Sequence, residues 1–183
     1  MTLTVQPLTA EHWPALEAVL GPDGARGCWC MYWRIGRGYR ERTRAENRAA
    51  FQAIVEHGPP PGLIAFDGAA PVGWCQVGPR AALPGLAHAW RLAPIDEAPV
   101  WALSCLYVRK GYRRRGINAV LIEAALDAAK AAGAPALEAY PFDAELSPSA
   151  TGTGYASTFA KLGFVEVARR IPARPIMRFA LSG

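Results

Sequence analysis

At 183 residues and 51% apolar composition the chain suits one domain, residues 1–183, with a sizeable core. Its formal charge of +5 and pI near 9.3 are modestly basic, with much of the excess in Arg34 to Arg48 and Arg109 to Arg115, which suits an anionic ligand at least as well as nucleic acid. No stretch is apolar for long enough to span a bilayer, and Met1 to Val5 lacks the basic and apolar regions of a signal peptide, so a cytoplasmic protein with no membrane partner is expected.

Thr2 to Pro7 alternates weakly and reads as a first strand. A helix is predicted from about Thr9, its N-cap, to Leu20, and Gly21 to Gly24 ends it. The next segment, Gly27 to Arg34, holds three aromatics, two cysteines and a methionine. For any one of these residues a place in the core is the default, yet the flanking Gly-rich turns and basic run would let Trp29, Tyr32 and Trp33 face a cleft. Cys28, Cys30, Cys75 and Cys105 form no disulfide framework and match no common zinc spacing, so reduced thiols and no metal are expected.

Thr43 to His57 is a second helix, with Ala45, Ala49, Phe51, Ala53 and Ile54 as its buried candidates. Leu63 to Phe66 and Val72 to Val77 flank Asp67 and Gly68, a β-hairpin pattern. The Pro-rich stretch Pro79 to Pro99 is expected to be a surface connection, and its His88 a solvated loop residue. Val100 to Val108 is nearly continuous in apolar character, as for a strand covered on both faces.

That strand runs into Arg109 to Ile117, with five basic residues and two glycines, and then into an apolar stripe at Leu121, Ile122, Ala125, Leu126 and Ala129 that Gly133 and Pro135 stop. Strand, loop and helix form an anion site in principle. The first helical turn has N–H groups without intrahelical partners and a positive dipole end, Gly116 permits close approach, and Arg113, Arg114 and Arg115 add charged donors. A solvated Arg-rich turn is the bland alternative. Neither Gly-x-Gly-x-x-Gly nor Gly-x-x-x-x-Gly-Lys-Ser/Thr is present, which removes the usual nucleotide loops.

Further on, Ala136 to Tyr140 is a strand parallel to Val100 to Val108 by the right-handed β-α-β rule. An irregular stretch to Gly154 precedes a short helix from about Tyr155 to Leu162. Gly163 suits a left-handed cap, and Val165 to Arg170 with Pro175 to Leu181 form a terminal β-pair.

The run Val108 to Asn118 resembles the coenzyme A loop of the GNAT superfamily of N-acyltransferases, Arg/Gln-x-x-Gly-x-Gly/Ala, with Arg113, Gly116 and Asn118 at the signature positions. Asn118 departs from the usual Gly or Ala. About fifty residues on, Phe159 to Phe164 resembles Tyr-x-x-x-Gly-Phe, with Phe159 in place of the tyrosine. The resemblance implies an α/β (α+β) fold, a GNAT-like, mostly antiparallel mixed sheet with helices on both faces and a parallel pair at the cofactor site.

It also implies an enzyme that moves an acetyl (acyl) group from acetyl-CoA to an amine of a small molecule or peptide in a ternary complex. Nucleic acid is not an expected partner, and a homodimer is compatible. A coenzyme A-binding domain without catalysis is the alternative that Phe159 motivates. The backbone of Leu106, Tyr107 and Val108 would orient the thioester, and Arg113 to Asn118, Ile117 included, would receive the pyrophosphate. Phe159 cannot donate a proton, so Tyr155, four residues earlier on the same helical face, is the candidate acid. Val100 to Val108 holds no carboxylate. Glu138, which shares a strand face with Tyr140, is the candidate base, with Asp143 or water as alternatives and an ion pair with an Arg as its structural role. Trp29, Tyr32, Trp33 and Tyr140 are assigned to the acceptor.

Overall fold

The computed structural model describes residues 2–147 and 151–181, and among them seven strands form one sheet in the order β1-β2-β3-β4-β5-β7-β6. The strands are β1 (Leu3–Pro7), β2 (Gly62–Asp67), β3 (Ala70–Pro79), β4 (Trp101–Val108), β5 (Ala136–Ala139), β6 (Val165–Arg169) and β7 (Pro175–Ala180). Every neighbouring pair is antiparallel except β4 and β5, which are parallel. This is the fold class that the sequence implied. Residues 148–150 of the irregular stretch lie outside the described residues.

The helices are α1 (Trp13–Leu20), α2 (Gly24–Gly27), α3 (Tyr32–Ile35), α4 (Arg44–His57), α5 (Pro84–His88), α6 (Ile117–Ala131) and α7 (Ala156–Lys161). Among the described residues no helix is long and apolar enough to cross a membrane. α6 covers one face of the sheet, where Ile117, Leu121, Ile122 and Ala125 pack on Leu63, Val77, Leu103, Leu106 and Leu137. The opposite face is covered in two parts. Leu16, Val19, Phe51 and Val55 of α1 and α4 pack on Ile64 and Trp74, while Trp33 and Leu86 of α3 and α5 pack on Ala102, Tyr140 and Ile176.

α4 begins in a capping box: the Glu46 N–H donates to Thr43 Oγ1 at 3.2 Å and the Thr43 N–H to Glu46 Oε2 at 2.7 Å. Its buried stripe is Asn47, Phe51 and Val55, whereas Ala45, Ala49 and Ala53 are exposed. The stripe is thus shifted from the alanine-based expectation. Asn47 is buried with its amide nitrogen donating to the Gly27 and Tyr39 carbonyls, both at 3.1 Å, which satisfies the donor end of a group that composition alone places outside.

The Pro79 to Pro99 stretch also departs in part from the sequence expectation. Most of its residues are exposed, as for a surface connection, but it carries short helical turns and buries Leu83, Leu86 and Leu92 against the core. At Gly85 the backbone of α5 meets that of α3 so closely that a Cβ would lie 2.7 Å from the Trp33 carbonyl oxygen. Scattered leucines in a short helix and two 3-10 turns carry too little periodicity to announce this.

Candidate active site

β4 organises the site. Its pairing with β5 ends at Leu103 opposite Ala139, yet the strand continues to Val108, so the two part and leave a gap. The Arg109 N–H donates to Val72 O at 2.9 Å on the β3 side. Alternation along the ladder therefore turns the N–H groups of Leu106 and Val108 toward the gap. The Leu106 N–H is met there by Gly152 O at 2.8 Å, so a segment preceding α7 partly closes the gap.

The loop from β4 to α6 follows. Gly111, Arg114 and Gly116 are left-handed, with φ of 94°, 62° and 79°. Gly116 is the N-cap of α6 and supplies no side-chain cap, which leaves the first-turn N–H groups of Ile117 and Asn118 open toward solvent or an anion. Arg113 Nε donates to Val108 O at 3.1 Å and pins the loop to the strand. Arg114 and Arg115 are exposed, and the Arg115 guanidinium rests 5.4 Å from the Tyr112 ring. Asn118 Oδ1 is buried with no hydrogen-bond partner. An orphaned acceptor beside an uncapped helix terminus and a cationic rim fits a phosphate-bearing ligand that also offers donors.

These groups border one cavity of about 650 Å³. Leu106, Tyr107, Val108, Arg113, Arg114, Gly116, Ile117 and Asn118 all line it, so the structure brings together most of the residues that the sequence assigned to the cofactor. Arg115 sits at the rim against Tyr112. Tyr155 and Thr158 also line the cavity, and the Tyr155 hydroxyl donates to Leu146 O at 2.5 Å. Phe159 is fully buried and stacks edge-on against Phe164 at 5.1 Å.

The other assigned residues lie elsewhere. Glu138 pairs with Ala102 near the opposite end of β4, and its carboxylate meets Arg178 at 2.6 Å and Arg80 at 3.4 Å and accepts from the Tyr140 hydroxyl at 2.8 Å. It borders a separate cavity of about 270 Å³ beneath the residues that precede β4. The geometry thus gives Glu138 the ion-pair role and removes it from the gap where a base would work. Asp143 is ion-paired to Arg169 at 2.8 Å. Tyr140 has no exposed surface, and its burial together with the Glu138 charge raises its pKa, so it is a core residue and not an acceptor contact.

Trp29 is 4% exposed and stacks on Trp13 at 5.9 Å, and Trp33 is 8% exposed. Both are packed in the core, contrary to the cleft expectation, because the turn between α2 and α3 folds Trp29 onto α1 and α4 while α3 lays Trp33 on the sheet. Tyr32 is half-buried, edge-on to Trp33 at 4.4 Å and to Tyr39 at 5.1 Å. The sequence reading missed Asp23, Cys28, Thr151, Gly152 and Thr158, all of which line the large cavity. Cys28 is the one member of the aromatic segment that lines it, and burial raises its thiol pKa to about 11. No spacing signal marks these residues, since they come from separate parts of the chain, Thr158 from α7 and the others from two loop regions. Among the described residues, no group of three or more His, Cys, Asp or Glu could hold a metal ion.

A family model described as the acetyltransferase (GNAT) family matches residues 28–147, well over half of the chain. The chain belongs to the GNAT family. Solved structures of similar fold include an acetyltransferase from Thermus thermophilus, with 21% identity, a TM-score of 0.57 and coverage of 98% of this chain and 97% of that one. The PaiA N-acetyltransferase of Thermoplasma acidophilum, in complex with coenzyme A, has 18% identity, a TM-score of 0.56 and coverage of 98% and 99%. YncA of Salmonella typhimurium, with its cofactor acetyl-CoA, has 13% identity, a TM-score of 0.57 and coverage of 100% and 96%. A search of curated proteins returns no match. This GNAT chain is an acyltransferase in fold and family, and the sheet gap, open helix terminus and cavity are its candidate active site.

Proposed function

We propose that the protein transfers an acetyl group from acetyl-CoA to an amine of a small molecule or peptide. The observation that carries this reading is the single cavity joining the N–H groups of the β4 edge to the uncapped N-terminus of α6. The α6 terminus, Arg113 and Arg114 would hold the pyrophosphate, and Asn118 Oδ1 would accept from the ligand. The Val108 N–H would orient and polarise the thioester carbonyl, joined by the Leu106 N–H once Gly152 yields it.

The amine nitrogen attacks the thioester carbonyl carbon and the carbon–sulfur bond breaks. With Glu138 and Asp143 held in ion pairs, the proton of the attacking amine leaves through water in the cavity. The Tyr155 hydroxyl gives its proton to the departing thiolate, after release from Leu146 O. Tyr155→Phe is expected to lower kcat by about a hundredfold or more while the KM for acetyl-CoA stays within about twofold.

The direct test combines two measurements. Saturating acetyl-CoA should raise the melting temperature, and free thiol should appear only when a suitable amine is added. The engaged Leu106 N–H and the buried Phe159 also fit a domain that binds coenzyme A without turnover. Stabilisation without thiol release across a broad amine panel would select that second reading, and no stabilisation would reject both.

A further inference from the structure

Two guanidinium groups on the face opposite α6, one buried and one half-buried, lack a carboxylate partner among the described residues. Arg174 is 7% exposed and lies 4.2 Å from the Phe142 ring and 5.8 Å from the Trp33 ring. One of its terminal nitrogens reaches Thr153 Oγ1 at 3.4 Å, and its Nε is buried with no acceptor. Arg34, the neighbour of Trp33 in α3, donates from Nε to Gln76 Oε1 at 3.1 Å, and Gln76 donates to Ser104 Oγ at 2.8 Å. Burial lowers the pKa of both, that of Arg174 to about 10, with nearby Arg91 adding to the effect.

Among the described residues neither has an ion pair. Arg44, Arg48, Arg80, Arg169 and Arg178 all have one. The contrast matters because a buried charge is costly unless something compensates it. Aromatic rings and neutral hydrogen bonds are their contacts within the chain, Arg34 also lying 5.8 Å from the Phe51 ring, so a carboxylate partner is sought outside it.

Their position says where that partner would lie. Phe142 and Thr153 flank the gap between β4 and β5, and Gly152, next to Thr153, is the residue that meets the Leu106 N–H. Ser104, at the end of the Arg34 network, stands two residues before Leu106 on β4. Both cations therefore approach the reacting end of β4 from the side opposite α6.

We infer that the acceptor is a small amine carrying a carboxylate, with Arg174 as its counter-ion and the Arg34–Gln76–Ser104 network beside it. This rests on the acyltransferase reading and adds the substrate class. A guanidinium recognises a carboxylate through paired, charge-assisted hydrogen bonds, and the orphaned Arg174 Nε supplies a donor for one.

The test uses matched acceptors: amino acids, their carboxamides, the corresponding decarboxylated amines, and phosphorylated amines of similar size. Each is assayed by thiol release with the full chain and with the Arg174→Gln, Arg174→Lys and Arg34→Gln variants, while acetyl-CoA binding is followed separately by melting temperature. The expected result is a preference of about a hundredfold in kcat/KM for the carboxylated amines over their carboxamides. Arg174→Gln should raise the acceptor KM by about tenfold or more, Arg174→Lys should recover part of it, and acetyl-CoA stabilisation should persist in all three.

A preference for neutral or cationic amines, or an unchanged acceptor KM in Arg174→Gln, would overturn the inference and leave the acyltransferase reading standing. Preference for the phosphorylated amines would overturn the carboxylate assignment. If no amine is turned over, stabilisation of the wild type but not Arg174→Gln by amino acids supports the anion site while the transfer reading fails; no such stabilisation overturns the site. Should Arg174→Gln not fold, the lysine variant and Arg34→Gln carry the comparison.

Discussion

The two ends of β4 solve the same electrostatic problem in opposite ways. At the start of the strand, Glu138 of the neighbouring strand is closed in by Arg80, Arg178 and Tyr140, and Arg178 also holds Asp96 at 2.7 Å. Each charge there has a partner within the chain. At the far end, where β5 has turned away, the groups on offer are backbone N–H donors, an uncapped helix terminus and exposed arginines. A carboxylate on an apolar strand suggests a base, but the paired end holds its charges in ion pairs, and the unpaired end is the candidate for chemistry. Unsatisfied groups, more than charged ones, mark the candidate site.

This comparison can be broken from either side. The largest expected effect is at the closed end: Glu138→Ala leaves Arg178 and Arg80 without their buried carboxylate and should cost about 3–5 kcal/mol in chemical denaturation. Its acetyl-CoA-dependent rise in melting temperature should survive. Loss of that rise in a folded Glu138→Ala protein would return Glu138 to the active site.

Tyr140→Phe removes the hydroxyl between Arg80 and Glu138 and should cost about 1–3 kcal/mol, again with cofactor stabilisation intact. At the open end the pattern reverses. Gly116→Glu forces a side chain into a left-handed position at a cost of about 1–2 kcal/mol and places a carboxylate where phosphate is expected, so the acetyl-CoA shift should vanish from a protein that still folds. A full shift in this variant would place the cofactor away from α6.

Much of this is legible in the sequence because the proposed cofactor loop is contiguous. Val108, Arg113, Gly116 and Asn118 lie within eleven residues, and a strand feeding a glycine-capped helix states its own geometry. The role of Glu138 is not legible to the same degree. The pattern raises both a base and an ion pair, and only the β5–β7 pairing of Glu138 with Arg178 chooses between them. The aromatic segment misleads for a related reason, since Trp29 and Trp33 reveal their burial only against Trp13 and Leu86, on elements that the chain reaches separately.

By itself the sequence determined the main order of strands and long helices, the parallel β4–β5 pair and a glycine-bounded basic loop before α6, because hydrophobic period, capping residues and a right-handed crossover are local properties of the chain. Tertiary structure decided the rest. It set where β4 loses its partner, which arginines find carboxylates and which do not, and that Cys28 and not Trp29 reaches the cavity. Those outcomes depend on contacts between residues tens of positions apart, whose pairing is fixed by packing and charge compensation in three dimensions and leaves no trace in linear spacing.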